Sequence, residues 1–392
     1  MDNLYKDIYN HIFSFLSHKE LIKLMLVSKS FYNFIDNLNL PNVDFYTACE
    51  KGYYLNIRKS GLKNQNLNKA IYFASKGGHL PIINLLILNG ANNWISAFKG
   101  ACYGGHKSIV DFLYQYIVND YNKIFNLINN CNIITLINQS VDLLINEKLS
   151  LWNKGLFYAS QGGHKELIDY MISKGAKYFN KALYYACRGG NKDIIDYIIS
   201  KGANSWDIGL RGACENGNKE IIHYILQKGE CDYNYGLFGA CKSGNKEIIN
   251  YMISIGADNW NKSLFYACRG GHKDIAEFMI SKGATELEWA LYYSCKRGYK
   301  DIVDFLITKG ARNWNMGLFG ACEGGYKDLT EFMISNGANN LDMALICACL
   351  HGHKNIVEFI MEKNVNNYKK GLIIAVEKGY KDIVEFMLNK FK

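Results

Sequence analysis

Proline is almost missing: the chain has two in 392 residues, Pro41 and Pro81. Little therefore interrupts a helix, and a sandwich or barrel is disfavoured. No apolar run is long enough to span a bilayer, so no membrane partner is expected. Charge of one sign does not dominate. The net charge is +9, from 45 basic and 36 acidic residues, and the excess is dispersed. That balance does not call for nucleic acid as a partner. The opening residues, Met1 to Asp7, carry acids and lead into no secretory apolar segment. A cytoplasmic protein is expected, with the nucleus as the other option.

Chemistry-bearing motifs are lacking too. There is no Walker pattern, no glycine-rich dinucleotide fingerprint and no nucleophile or paired-carboxylate motif. No catalytic, cofactor-binding or metal-ligating residue can be named, and an enzyme is not expected. Apolar residues at 49% against 21% charged still require a packed core.

What is present is glycine, and it is spaced. Gly163, Gly190, Gly217, Gly244, Gly271, Gly298, Gly325, Gly352 and Gly379 follow one another at steps of 27. Gly52, Gly78 and Gly105 extend the series upstream. Between Gly105 and Gly163 lie two periods plus four residues. One degenerate repeat therefore falls near Asp120–Leu149, read as a decayed repeat in preference to a functional bend. The array holds about 13 repeats over 44–392.

A second glycine marks another turn, as in Gly175-Ala176, Gly256-Ala257 and Gly310-Ala311. Each period thus holds two helices with their own stop signals. In one unit, helix A is expected over Lys181–Arg188 with Asn180 as its N-cap; Asp207, Asn234, Asn261, Asn315 and Asp342 are the equivalent caps. Helix B is expected over Lys192–Lys201, with Lys192/Asp196 as an i,i+4 pair on its wet side. Neither helix is long enough to stand alone, so neighbours must bury its apolar stripe.

"GGHKDIAEFMISKGA" (Gly270–Ala284) and "GHKNIVEFIMEKN" (Gly352–Asn364) resemble the second half of an ankyrin repeat, and "GLFGAC" (Gly236–Cys241) resembles its first helix. The family unit is usually longer and carries a Thr-Pro-Leu-His turn that this chain lacks. The resemblance implies an all-α ankyrin-type solenoid whose β-hairpin fingers are clipped. The short period is similar to that of ankyrin proteins of giant amoebal DNA viruses, the mimivirus type.

Residues 1–40 do not repeat. Leu4, Ile8, Ile12, Phe13, Leu16, Leu21, Leu24, Val27 and Phe31 form an apolar order that resembles an F-box. Tyr5 and Ser28 depart from that family's usual Pro and Cys. The resemblance implies a small helical segment that binds a Skp1-like subunit of a ubiquitin ligase. The alternative is that 1–40 only caps the solenoid, leaving a scaffold or decoy that binds a protein with no ligase link.

Twelve cysteines do not make a disulfide or zinc framework. Nine share one slot of helix A with Ser75, Ser160 and Val376, so the slot wants a small buried side chain. His79, His106, His164, His272 and His353 share a slot with Asn and Tyr and are expected to pack or hydrogen-bond across the stack. The aromatics Trp94, Phe179, Trp206, Tyr233, Trp260, Trp314 and Tyr368 are expected to form a stacked spine, with a base-stacking ladder as the weaker alternative.

Leu183, Ala186 and Cys187 cluster on one face of helix A, which must be core. Three slots on the opposite face vary from repeat to repeat. They contribute Tyr185, Arg188, Tyr235, Lys242, Tyr266, Arg269, Trp289, Tyr293, Lys296 and Glu323 as candidates for contact with a protein target. The ankyrin resemblance places this face on the concave side. A monomer is expected.

Overall fold

Two helices and two turns make each repeat. The computed structural model describes residues 43–130, 150–363, 365–366 and 368–390, and among these every regular element is helical. The repeat that begins at Trp260 shows how sequence sets the pattern. Asn259 caps the first helix, Trp260–Gly270, by accepting from the Lys262 N–H. Gly271 ends it at φ 84°, a left-handed turn that glycine adopts without Cβ strain. The second helix, Lys273–Ser281, follows at once with Asp274 in its first turn. Gly283, at φ 108°, closes it. Leu264, Ala267 and Cys268 from helix A meet Ile275, Ala276 and Met279 from helix B, all buried. Each large side chain contributes about 1.5–3 kcal/mol on burial.

The helices are offset from the sequence expectation. Helix A starts at Phe179, Trp206, Tyr233, Trp260 and Trp314. Its side-chain caps, such as Asp232, Asn259, Asn313 and Asn340, therefore lie two residues before the positions expected to cap it. The residues expected as caps do something else. Asn234 Oδ1 accepts from the Asp258 and Asn259 N–H groups at 2.9 and 2.7 Å. Asn261 does the same for Thr285 and Glu286, and Asn315 for Asn339 and Asn340. Asp207 accepts from the Asp232 N–H and Asp342 from the Asn366 N–H of the following loop. The second Asn of each "Asn-Trp-Asn" stretch thus stitches its repeat to the loop of the next. These bonds satisfy backbone donors where the clipped hairpin would otherwise leave them bare. Asn234→Ala should cost about 1–2 kcal/mol for the two bonds. Urea unfolding followed by circular dichroism checks this; an unchanged midpoint would dismiss the stitch.

The histidine slot behaves as expected. Nε2 of His79, His106, His164 and His353 each bonds a carbonyl of the preceding helix A, at 2.9–3.1 Å. Burial, the largest influence on His79 and His353, lowers both imidazole pKa values and favours the neutral ring. Glycines of its own repeat and of the preceding one make room for the ring. A Cβ on Gly104 would lie 2.1 Å from the Lys76 carbonyl oxygen, and one on Gly78 would lie 2.5 Å from the His106 ring.

In place of the stacked spine expected, three members of the aromatic series are seen against their own repeats. Trp94 packs on Tyr116 of its own helix B, at 4.9 Å between ring centres. Trp206 lies beside Gly229 and Trp314 beside Gly337, each at the turn that ends its own repeat. Cations on helix B likewise reach beyond the pairs expected. Lys246 pairs with Asp274 of the next repeat at 2.7 Å, and Lys192 sits 4.7 Å from the Tyr224 ring centre.

The chain divides into two compact units. The first holds 43–119, 150–182 and 193–198; the second holds 183–192 and 199–390, with 120–130. Lys107–Asn130 is one helix of 24 residues, so a helix B runs on into the degenerate repeat. The rest of that repeat, 131–149, lies outside the described residues.

Candidate protein-interaction surface

The variable strip on helix A lies in the second unit and is assembled from its successive first helices. The structure brings together the slot of Arg188, Glu215, Lys242, Arg269, Lys296 and Glu323, one residue per repeat. Two acidic knots organise it. Glu215 has a buried carboxylate, its side chain 6% exposed. Its Oε1 accepts from Arg188 Nε at 3.1 Å and Lys242 Nζ at 2.5 Å, and its Oε2 accepts from the Tyr184 phenol. Four repeats on, Glu323 accepts from Lys296 and the Tyr292 phenol, and pairs with His351 Nε2 at 2.9 Å.

Burial alone would raise the Glu215 pKa. The hydrogen bond and charge of Lys242, the Tyr184 phenol and the Arg188 charge outweigh it and hold the carboxyl below its ordinary range. On Lys242 burial wins instead and lowers the ammonium pKa, with Glu215 pulling the other way. The opposite signs of net effect mean that the pair is held against a desolvation cost. Three donors converge on the one carboxylate.

The varying slot that holds Tyr185, Tyr266 and Tyr293 holds glycine in three other repeats, and there it does not face solvent. Gly212, Gly239 and Gly320 are buried. A Cβ at each would lie 2.2–2.3 Å from a carbonyl oxygen of the preceding helix A, so glycine there sets how close neighbouring helices come. Where the slot holds Tyr266 or Tyr293, the ring lies flat on Phe238 or Phe265 of the preceding helix, at 5.2 and 5.5 Å between centres. Tyr185 is half-buried against Tyr184. Tyr235 packs on Phe238. Trp289 stands out at 49% exposure, with Met343 and Leu350 also exposed on later repeats.

Sequence reasoning missed Tyr184, Arg211 and Tyr292. Arg211 Nη1 donates to the Tyr266 phenol at 3.1 Å and its guanidinium lies 4.7 Å from the Tyr184 ring centre. A signal was available: Tyr184/Glu215 and Tyr292/Glu323 share a separation of 31 residues.

The nine slot cysteines are buried, and burial raises the pKa of Cys49, Cys241, Cys268, Cys295, Cys322 and Cys349 to about 12. They should therefore resist a thiol-reactive disulfide reagent at neutral pH and react only after denaturation. Fast native reaction of these thiols would contradict the packing. Among the described residues, no three His, Cys, Asp or Glu side chains converge to hold a metal ion, and no helix is long and apolar enough to cross a membrane.

Leu4, Ile8, Ile12, Phe13, Leu16, Leu21, Leu24, Val27 and Phe31 lie outside the described residues. Sequence comparison speaks for that segment. Residues 1–42 match the F-box domain, and 125–211, 156–236, 237–316 and 318–392 match ankyrin repeats (3 copies). No curated protein matches the chain in sequence. Among solved structures, the crystal structure of the human ASB11 ankyrin repeat domain is similar at 18% identity with a TM-score of 0.32, covering 46% of this chain and 96% of that one.

Proposed function

The chain belongs to the ankyrin-repeat family, and from that premise we propose that it is a substrate-recruiting adaptor of a Skp1–cullin ubiquitin ligase. In this reading 1–40 is the ligase hook and the repeats of 44–392 hold the protein to be modified. One observation carries it: an F-box match and an ankyrin array occur on a single chain, the first suited to a constant partner and the second to a chosen one. Both are interaction modules, so the chemistry of ubiquitin transfer belongs to the ligase and the chain itself is read as non-enzymatic.

The same reading places the protein in the cytoplasm as a monomer. The 27-residue period, similar to that of ankyrin proteins of the giant amoebal viruses, is what suggests an origin there, where such an adaptor would redirect host protein turnover.

The test is co-expression with Skp1 and purification through a tag on the repeats. Wild type should retain Skp1. The Leu4→Ala/Ile12→Ala/Leu16→Ala variant should lose most of it, because three apolar anchors are removed at once. Absence of Skp1 from wild type, with helical circular dichroism intact, would reduce 1–40 to a cap and leave a scaffold.

A further inference from the structure

The charge ladder on helix A is incomplete at its centre. Glu215 serves Arg188 and Lys242; Glu323 serves Lys296 and His351. Arg269 stands between Lys242 and Lys296, one repeat from each, and forms no ion pair among the described residues. Three cations thus occupy the first helices of three successive repeats, neighbours of which approach at about 8–10 Å. The Arg269 Nε is buried and has no hydrogen-bond partner. A buried guanidinium donor left unmet costs free energy, and because Arg269 as a whole is only half-buried, the rest of its side chain is where an outside acceptor can approach.

The walls of this position are aromatic and fixed. The Arg269 guanidinium carbon lies 5.7 Å from the Tyr293 ring centre. Tyr293 is held flat on Phe265, and Tyr266 on Phe238. One turn before Tyr293 on the same helix, Trp289 presents about half of its surface to solvent. Cations backed by pinned rings, with an exposed indole alongside, complement an anion next to an apolar group.

We propose that this position receives an Asp or Glu side chain of the target protein, its carboxylate on Arg269 between Lys242 and Lys296 and a neighbouring apolar residue against Trp289. The proposal rests on the reading of the repeats as the target-holding part. Charge complementarity selects the occupant: two acidic knots flank three cations, and one further carboxylate restores the alternation of sign. Arg269 itself could serve both its ring and a carboxylate, because a guanidinium donates in its plane and stacks on its face. The burial of Lys242 and Lys296 strengthens the attraction, since part of their desolvation is already met in the free protein.

Selection of random short peptides displayed on phage, against the immobilised full chain, tests this. Peptides that carry an acid beside an apolar residue should be enriched. A synthetic copy of the leading peptide should lose at least about tenfold in affinity when its acid becomes the amide, and the same on Arg269→Gln. The two changes together should lose little more than either alone, which marks a direct pair. Lys327→Gln, on an exposed helix B, should leave binding unchanged. Circular dichroism of Arg269→Gln confirms folding. Peptides without acids that need Trp289 but ignore Arg269→Gln would overturn the proposal while leaving the repeats as the target-holding part. Failure to select any peptide dependent on Trp289 or Arg269 would overturn both, and retention of Skp1 reports separately on the ligase hook.

Discussion

Glu215→Ala should destabilise the second unit by about 3–5 kcal/mol, the cost of breaking a buried ion pair by removing one member. Its carboxylate is 6% exposed and gathers Arg188, Lys242 and the Tyr184 phenol. Alanine would leave the Lys242 ammonium, itself only 19% exposed, with a single long bond to the Tyr184 phenol oxygen at 3.4 Å, and the phenol proton without its acceptor. Arg188, at 37%, could turn toward water, so it adds less. Glu215→Gln keeps the shape and one acceptor and should fall between. Glu331→Ala is the control. Its carboxylate is about half exposed and 3.7 Å from Lys327, and a shift below about 0.5 kcal/mol is expected. Guanidinium unfolding monitored by circular dichroism, fitted repeat by repeat, separates these values. The pH dependence provides a second reading. The folded-state pKa of Glu215 is depressed, so its stabilisation is complete above the ordinary carboxylate range and is lost as pH falls through the depressed value. Wild type and Glu215→Gln should therefore converge in acid. Equal stability at neutral pH would remove the knot from the account.

Gly320→Ala should cost about 3 kcal/mol, near the upper end for overpacking. The added Cβ would meet the Tyr292 carbonyl oxygen at 2.2 Å and the Lys296 backbone nitrogen at 3.2 Å. Both are backbone atoms inside a helix, so no rotamer change relieves the contact. The two helices must separate, which loosens Leu291, Ala321 and Cys322 in the core beneath. The Glu323 knot should loosen with them, because Tyr292 and Lys296 sit on one helix and Glu323 on the other. Gly310→Ala provides a contrast. Nothing lies within 4 Å of its Cβ, and its penalty is confined to the left-handed φ of 104°, about 1–2 kcal/mol. Thermal unfolding of the two variants should rank them in that order; the reverse order would show that the helices are free to part.

The sequence by itself determined the period, the paired helices, the buried cysteine slot and the histidine contacts. Each depends on a local signal that recurs in register, such as a left-handed glycine after an apolar stripe. It also determined both family resemblances, since apolar spacing survives where single residues such as Tyr5 depart. Tertiary structure decided the rest. Asn234 and its equivalents read as caps because capping residues near a helix start look alike in one dimension; only the neighbouring loop shows that they bind across repeats. The variable slots read as a face free to contact a target because variation and exposure usually coincide. Here glycine stands where a Cβ would strike the neighbouring helix, and Glu215 and Glu323 are drawn in by partners about one repeat away. Those partners are 27 and 31 residues distant along the chain, so periodicity can align them, but only packing brings their charges to within a hydrogen bond.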